Sequence, residues 1–150
     1  MNILLVEDDH LQVEFLSREL QNSFSEALIR VISTESEFRL RFEEISQSPP
    51  DVIVLDVMVR WADATPDIDV PPEDVCRDGF YTAGLRCEEL LARDPQTNHI
   101  PVILYTVLEP TDLHGEIEKR RDNVVILTKA PEIDPLVELI RELTRDVRAI

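Results

Sequence analysis

Asp51-Val52-Ile53-Val54-Leu55-Asp56 decides the reading of this chain. Four apolar residues, three of them β-branched, run between two aspartates. Pro49-Pro50 mark the start. A short apolar run bounded in this way reads as a strand buried on both faces of a parallel sheet. In an open α/β sheet, ligands bind beyond the carboxyl ends of the strands. Asp56 therefore either caps the following turn or presents a carboxylate for chemistry. What the other strands bring to the same edge separates the two.

Asn2-Ile3-Leu4-Leu5-Val6 is a second such run and breaks into Glu7-Asp8-Asp9. Three adjacent acids repel one another, and a cation would offset that repulsion. Acids also favour the first turn of a helix, and one begins here. Both roles are compatible. Leu11, Val13, Phe15, Leu16 and Leu20 predict an amphipathic helix to about Asn22, followed by a strand over 27–32. Phe38, Leu40, Phe42 and Ile45 predict a helix from about Ser36 to Ser46, before the strand ending on Asp56.

Trp61 to Cys76 shows no sustained period and holds three of the ten prolines. It reads as a long loop inserted over the active edge, and such loops are often functional. It is expected to be a lid, a partner-contact surface or a neutral embellishment. Asp78-Gly79 restarts the order, and a helix follows to about Asp94. Ile100-Pro101-Val102-Ile103-Leu104-Tyr105-Thr106 is a strand ending on a hydroxyl. Thr111 to Arg121 is expected to be a short polar helix. Val124 to Leu127 is the fifth strand and leads into Thr128 and Lys129. Asp134-Pro135 opens a last helix.

Five strands alternating with five helices, each connection long enough for a parallel crossover, predict a doubly wound α/β fold. The expected strand order is 2-1-3-4-5, as in flavodoxin-like sheets. One edge then collects Glu7, Asp8, Asp56, Thr106 and Lys129. Clustered carboxylates suit Mg²⁺, which takes one or two of them with waters and a phosphate oxygen. Asp56 can then act as a nucleophile towards phosphorus. Thr106 and Lys129 would neutralise charge on the phosphoryl oxygens.

Bulk composition narrows the alternatives. The 150 residues suit one domain, and 43% hydrophobic residues suffice for a core. The net charge of −16 disfavours phosphate backbones and anionic membrane surfaces, so neither nucleic acid nor membrane is an expected partner. Cys76 and Cys87 lack a paired ligand spacing, which argues against zinc. No leader or apolar run near the roughly 20 residues of a membrane span occurs. A cytoplasmic protein with reduced thiols is expected.

Glu7-Asp8-Asp9, the strand ending on Asp56, Asp78-Gly79, the strand ending on Thr106 and Leu127-Thr128-Lys129 together resemble the receiver domain of two-component response regulators. The resemblance spans nearly the whole chain apart from residues 61–76. It implies a phosphoprotein of two-component or phosphorelay signal transduction. Asp56 would accept a phosphoryl group from a histidine kinase or histidine phosphotransfer protein. Asp8 and Asp56 would bind Mg²⁺ directly, Glu7 mostly through water, and the backbone carbonyl of Met58 would be a further ligand. Asp9 could compete with Glu7. Thr106 and Lys129 would each meet a phosphoryl oxygen.

Three positions depart from the family pattern. Arg60 stands where proline is usual, four residues after the acceptor. Ile126 stands where an aromatic switch residue is usual, which puts the standard output coupling in doubt. Lys129-Ala130-Pro131 replaces Lys-Pro, so either a cis Lys-Ala bond, costing about 2.5–4 kcal/mol, or a rearranged turn is expected.

The leading expectation is a stand-alone response regulator that signals to a downstream protein by contact. Phosphorylation would shift a two-state equilibrium around the fourth helix and fifth strand. Whether that region also forms a homodimer is left open. A degenerate receiver acting as a phosphorylation-independent binding module is the alternative. A phosphatase needs a second Asp two residues after the nucleophile, and that position is Met58; the chain is not expected to be a turnover enzyme.

Overall fold

The computed structural model describes residues 1–64, 70–113 and 115–148. Five parallel strands run in the order 2-1-3-4-5: β1 Asn2–Val6, β2 Leu28–Ile32, β3 Val52–Leu55, β4 Val102–Thr106 and β5 Val124–Thr128. The α-helices among the described residues are α1 His10–Ser23, α2 Glu35–Leu40, α3 Phe42–Gln47, α4 Glu73–Asp78, α5 Ala83–Arg93 and α6 Asp134–Arg148.

Every residue of β3 and β4 is buried, as a strand covered on both faces requires. Alternation along the strands divides the core in two. Leu4, Ile53, Leu55 and Leu104 face one layer with Phe38 of α2, Ile45 of α3 and Leu91 of α5. Ile3, Leu5, Val54 and Ile103 face the other with Leu16 of α1 and Ile140 of α6. The strands are registered so that Val6 lies beside Leu55 and Thr106 beside Thr128. The ends of four strands therefore reach one edge together.

Three expectations need correction. The helix predicted from Ser36 to Ser46 is interrupted at Arg41, which ends α2 and starts α3. Its N–H still reaches the Glu37 carbonyl at 2.9 Å and its carbonyl still accepts from Ile45 at 3.0 Å, so the break is a kink. Of the insertion, residues 65–69 lie outside the described residues, but its end is helical. Pro72 precedes α4, Glu73 and Asp74 occupy the first turn, Arg77 the last, and Gly79 ends it at φ 70°. These are ordinary helix-start and helix-stop signals that the prolines upstream obscured.

The helix expected over Thr111 to Arg121 does not form among the described residues. A 3-10 turn at Pro110–Leu113 is followed by turns, with Gly115 at φ 82°. A glycine at positive φ ends a helical path. The segment docks on α5 instead: Arg120 Nη1 meets Glu88 at 2.8 Å, and Arg121 meets the same carboxylate from the other side, also at 2.8 Å. Glu88 and Arg120 are both buried, so the pair is shielded from solvent and sensitive to loss of either partner.

A second buried pair joins α2 to α5. Glu35, fully buried, receives Arg86 in a bidentate contact at 2.6 and 2.9 Å. Next to it α5 comes unusually near the end of β3. The Gly84 N–H donates to the Val57 carbonyl at 2.8 Å. A Cβ at Gly84 would overlap the Asp56 carbonyl oxygen and lie 2.7 Å from the Val57 Cα. Backbone cannot yield as a flexible side chain can. Gly84→Ala is therefore expected to lower the equilibrium unfolding free energy in urea by at least about 3 kcal/mol.

Candidate functional site

The edge where β1, β3 and β5 end opens into a cleft of about 660 Å³. Glu7, Asp8, Asp56, Met58 and Lys129 line it, with Ala130 and Pro131 at one side. Glu7 and Asp56 are buried at 2% and 7% exposure, which no unpaired carboxylate tolerates cheaply. Lys129 answers both. Its Nζ donates to Glu7 Oε2 at 2.6 Å and to Asp56 Oδ2 at 3.1 Å. The second Asp56 oxygen, Oδ1, accepts from the Met58 N–H at 3.3 Å.

One carboxylate oxygen from each of Glu7, Asp8 and Asp56 lies within 4.8 Å of the others. Three oxygen donors so close, two of them buried, fit a hard divalent cation. One lysine does not balance them. Burial, then the charge of Asp56, raises the Glu7 carboxyl to about 7, against the pull of Lys129. Burial disfavours the Lys129 charge, yet Asp56 and Glu7 together lift its pKa above the ordinary lysine value.

Asp9 is placed differently. Its Oδ1 accepts from the Leu11 and Gln12 N–H groups at 2.9 and 3.1 Å, which caps α1. Its carboxylate is not part of the cluster. Thr106 ends β4 as predicted, but it is fully buried and Val107 lines the cleft beside it. The Thr106 hydroxyl accepts from the Leu108 N–H at 3.3 Å, and its carbonyl accepts from the Lys129 N–H at 2.8 Å. The main chain of Thr106 thus fixes the turn that carries the lysine. No cis peptide bond occurs among the described residues, so a cis Lys129-Ala130 bond is not the form taken. Ile126 packs half-buried against the core layer that contains Leu104.

One contact at this edge has no counterpart in the sequence pattern. Arg60, read only as a missing proline, pairs with Asp8: its N–H donates to Asp8 Oδ2 at 3.0 Å, and its Nε lies 3.3 Å from the same atom. The two residues are 52 positions apart, and no local signal links them.

No protein-family model matches the sequence, and no curated protein matches it. Solved structures do. The receiver domain of a signal transduction histidine kinase from Syntrophus aciditrophicus is 25% identical with a TM-score of 0.70, covering 99% of this chain and 93% of that one. The receiver domain of a DNA-binding response regulator from Colwellia psychrerythraea is 20% identical with a TM-score of 0.67, covering 97% and 98%. A response regulator in its Mn²⁺-bound form is 20% identical with a TM-score of 0.56, covering 95% and 90%. The chain has the fold of response-regulator receiver domains.

The raised Glu7 carboxyl has a consequence for stability. A carboxyl that holds its proton more tightly when folded makes the folded state weaker as pH rises from the ordinary 4.5 to about 7. Without divalent cations, Glu7→Gln should therefore gain on the wild type across that window, by up to about 3 kcal/mol. Thermal unfolding in EDTA at several pH values measures the difference, which should level off above pH 7.

Proposed function

We propose that this chain is a phosphoacceptor receiver, one domain over residues 1–150 with an insertion at about 61–76. Asp56 takes a phosphoryl group from a histidine kinase or histidine phosphotransfer protein. The observation that carries this reading is the meeting of Glu7, Asp8, Asp56 and Lys129 in one cleft. Asp8 and Asp56 would hold Mg²⁺ directly, Glu7 mostly through water, and Met58 by its backbone carbonyl. Bound Mg²⁺ would supply neutralisation of the charge shared by an anionic nucleophile and an anionic phosphoryl group.

The residues themselves then divide the work. An oxygen of Asp56 bonds to phosphorus as the P–N bond to the donor imidazole breaks, and the ring leaves neutral, keeping the proton on its other nitrogen. Formation of the acyl phosphate removes the Asp56 carboxylate charge that Lys129 now meets at 3.1 Å. The ammonium is then free to pair with the phosphoryl oxygens. The Thr106 hydroxyl accepts from Leu108 and so retains its own proton, which it would donate to a phosphoryl oxygen once its side chain, now fully buried, turned toward the cleft. This chemistry occurs once per signal, which makes the protein a signalling domain and not a turnover enzyme.

The output is contact with a downstream protein in the cytoplasm, where the free Cys76 and Cys87 would stay reduced. One pair of observations favours a second reading, a phosphorylation-independent binding module. Ile126 replaces the switch aromatic, and no α-helix joins β4 to β5 among the described residues. The carboxylate cluster and Lys129 speak for the first.

Incubation with Mg²⁺ and acetyl phosphate, followed by intact-mass analysis, tests the reading. The wild type should gain one phosphoryl group, and Asp56→Asn or omission of the metal should reduce labelling at least roughly tenfold. An unlabelled wild type, with partner capture unchanged by Asp56→Asn, would favour the binding module.

A further inference from the structure

Arg60 occupies a position whose chemistry differs from that of the proline expected there. Val57 and Val59 are fully buried and hold the turn after β3 against the core. The carbonyls of Arg60 and Trp61 accept from the Glu35 and Ser36 N–H groups at 2.9 and 2.8 Å, tying the turn to the start of α2. The backbone at residue 60 is thus anchored on both sides. From there Arg60 reaches Asp8 three times: N–H to Oδ2 at 3.0 Å, Nε 3.3 Å from Oδ2, and Nη2 to the Asp8 carbonyl at 3.1 Å. An exposed ion pair alone would count for little. Here main chain and side chain converge on one carboxylate oxygen, and the Asp8 side chain is only 20% exposed.

The same Nη2 that donates to the Asp8 carbonyl also lies 3.8 Å from Asp63 Oδ1. Arg60 therefore has a second carboxylate to move to when Asp8 is taken by something else. The cluster holds three carboxylates, and two protein cations, Lys129 and Arg60, already meet them. We propose that Arg60 is the resident counter-ion of Asp8, competing with the divalent cation for that carboxylate and so setting the site's metal affinity low. This inference rests on the receiver reading of the site and concerns how that site is regulated. Arg60 acts through Asp8 and is a positioning residue.

A unit positive charge beside a divalent ion in partly solvated surroundings should weaken its binding by roughly five- to twentyfold. Calorimetric titration of the full chain with MgCl₂ reads this directly. Arg60→Gln and Arg60→Ala, which keep the backbone N–H, should tighten Mg²⁺ binding by about that factor. Arg60→Lys should stay close to the wild type. The gain should shrink as NaCl is raised, a dependence that a merely structural role would not produce.

Asp63→Asn supplies a second variant at an exposed position. It removes the alternative partner, so Arg60 holds Asp8 more firmly and Mg²⁺ binding weakens. In the Arg60→Gln background the same change should have less effect. Equal affinities in the wild type and both neutral variants would overturn the inference and leave the receiver reading standing. Weaker binding in those variants would also overturn it, because Arg60 would then be organising Asp8 for the metal. Failure of every form, wild type included, to take up Mg²⁺ would overturn the receiver reading and this inference with it.

Discussion

The organisation of this edge depends on one ammonium group. Lys129 Nζ bridges Glu7 at 2.6 Å and Asp56 at 3.1 Å, joining the ends of β1, β3 and β5. Two carboxylates with almost no access to water would repel each other without it. The bridge is incomplete as a charge balance, since burial and Asp56 still push Glu7 up to about 7. A site that is folded yet short of positive charge is one prepared to accept more of it.

The sheet makes that convergence geometrically unavoidable. Parallel strands end on the same side, and β1 and β3 are registered so that Val6 pairs with Leu55, one residue before Glu7 and Asp56. The packing around Asp56 is tight. Gly84 admits α5 to within hydrogen-bonding distance of Val57, and the Thr106 carbonyl holds the backbone of Lys129. The turn after Asp56 is thus held by α5 at Val57 and, through Arg60 and Trp61, by the start of α2. A change of charge at Asp56 would be felt first by Lys129, by the Met58 N–H and by the Asp8–Arg60 pair.

Much of this was legible in the residues. Strands buried on both faces give unbroken apolar runs, so β1, β3 and β4 stand out, and the residue just past each run names the edge. Asp9 is the instructive case within the motif, since its capping bonds to Leu11 and Gln12 separate it from the two acids before it. What escaped reading is held by pairs distant in sequence. Arg86 with Glu35 are 51 residues apart, and Arg120 with Glu88 are 32 apart. The segment around Arg120 has charges at helical spacing, and Glu116 does pair with Lys119 and Arg120, but Arg120 and Arg121 also reach Glu88 on α5, and Gly115 leaves the helical path. The α4 signals were local and ordinary, but proline and acid content hid them.

Under the proposed function, the three carboxylates and Lys129 form one site for a divalent cation beside a phosphoryl acceptor. Paramagnetic broadening of backbone amides by substoichiometric Mn²⁺ tests that claim most directly. The account predicts loss of signal around residues 7–8, 56–58 and 129–130, with the amides of Leu28 at the start of β2 and of the end of α6 unaffected, and recovery on adding excess Mg²⁺. Signals at 7–8 and 56–58 that survive while acids elsewhere on the surface broaden would contradict it.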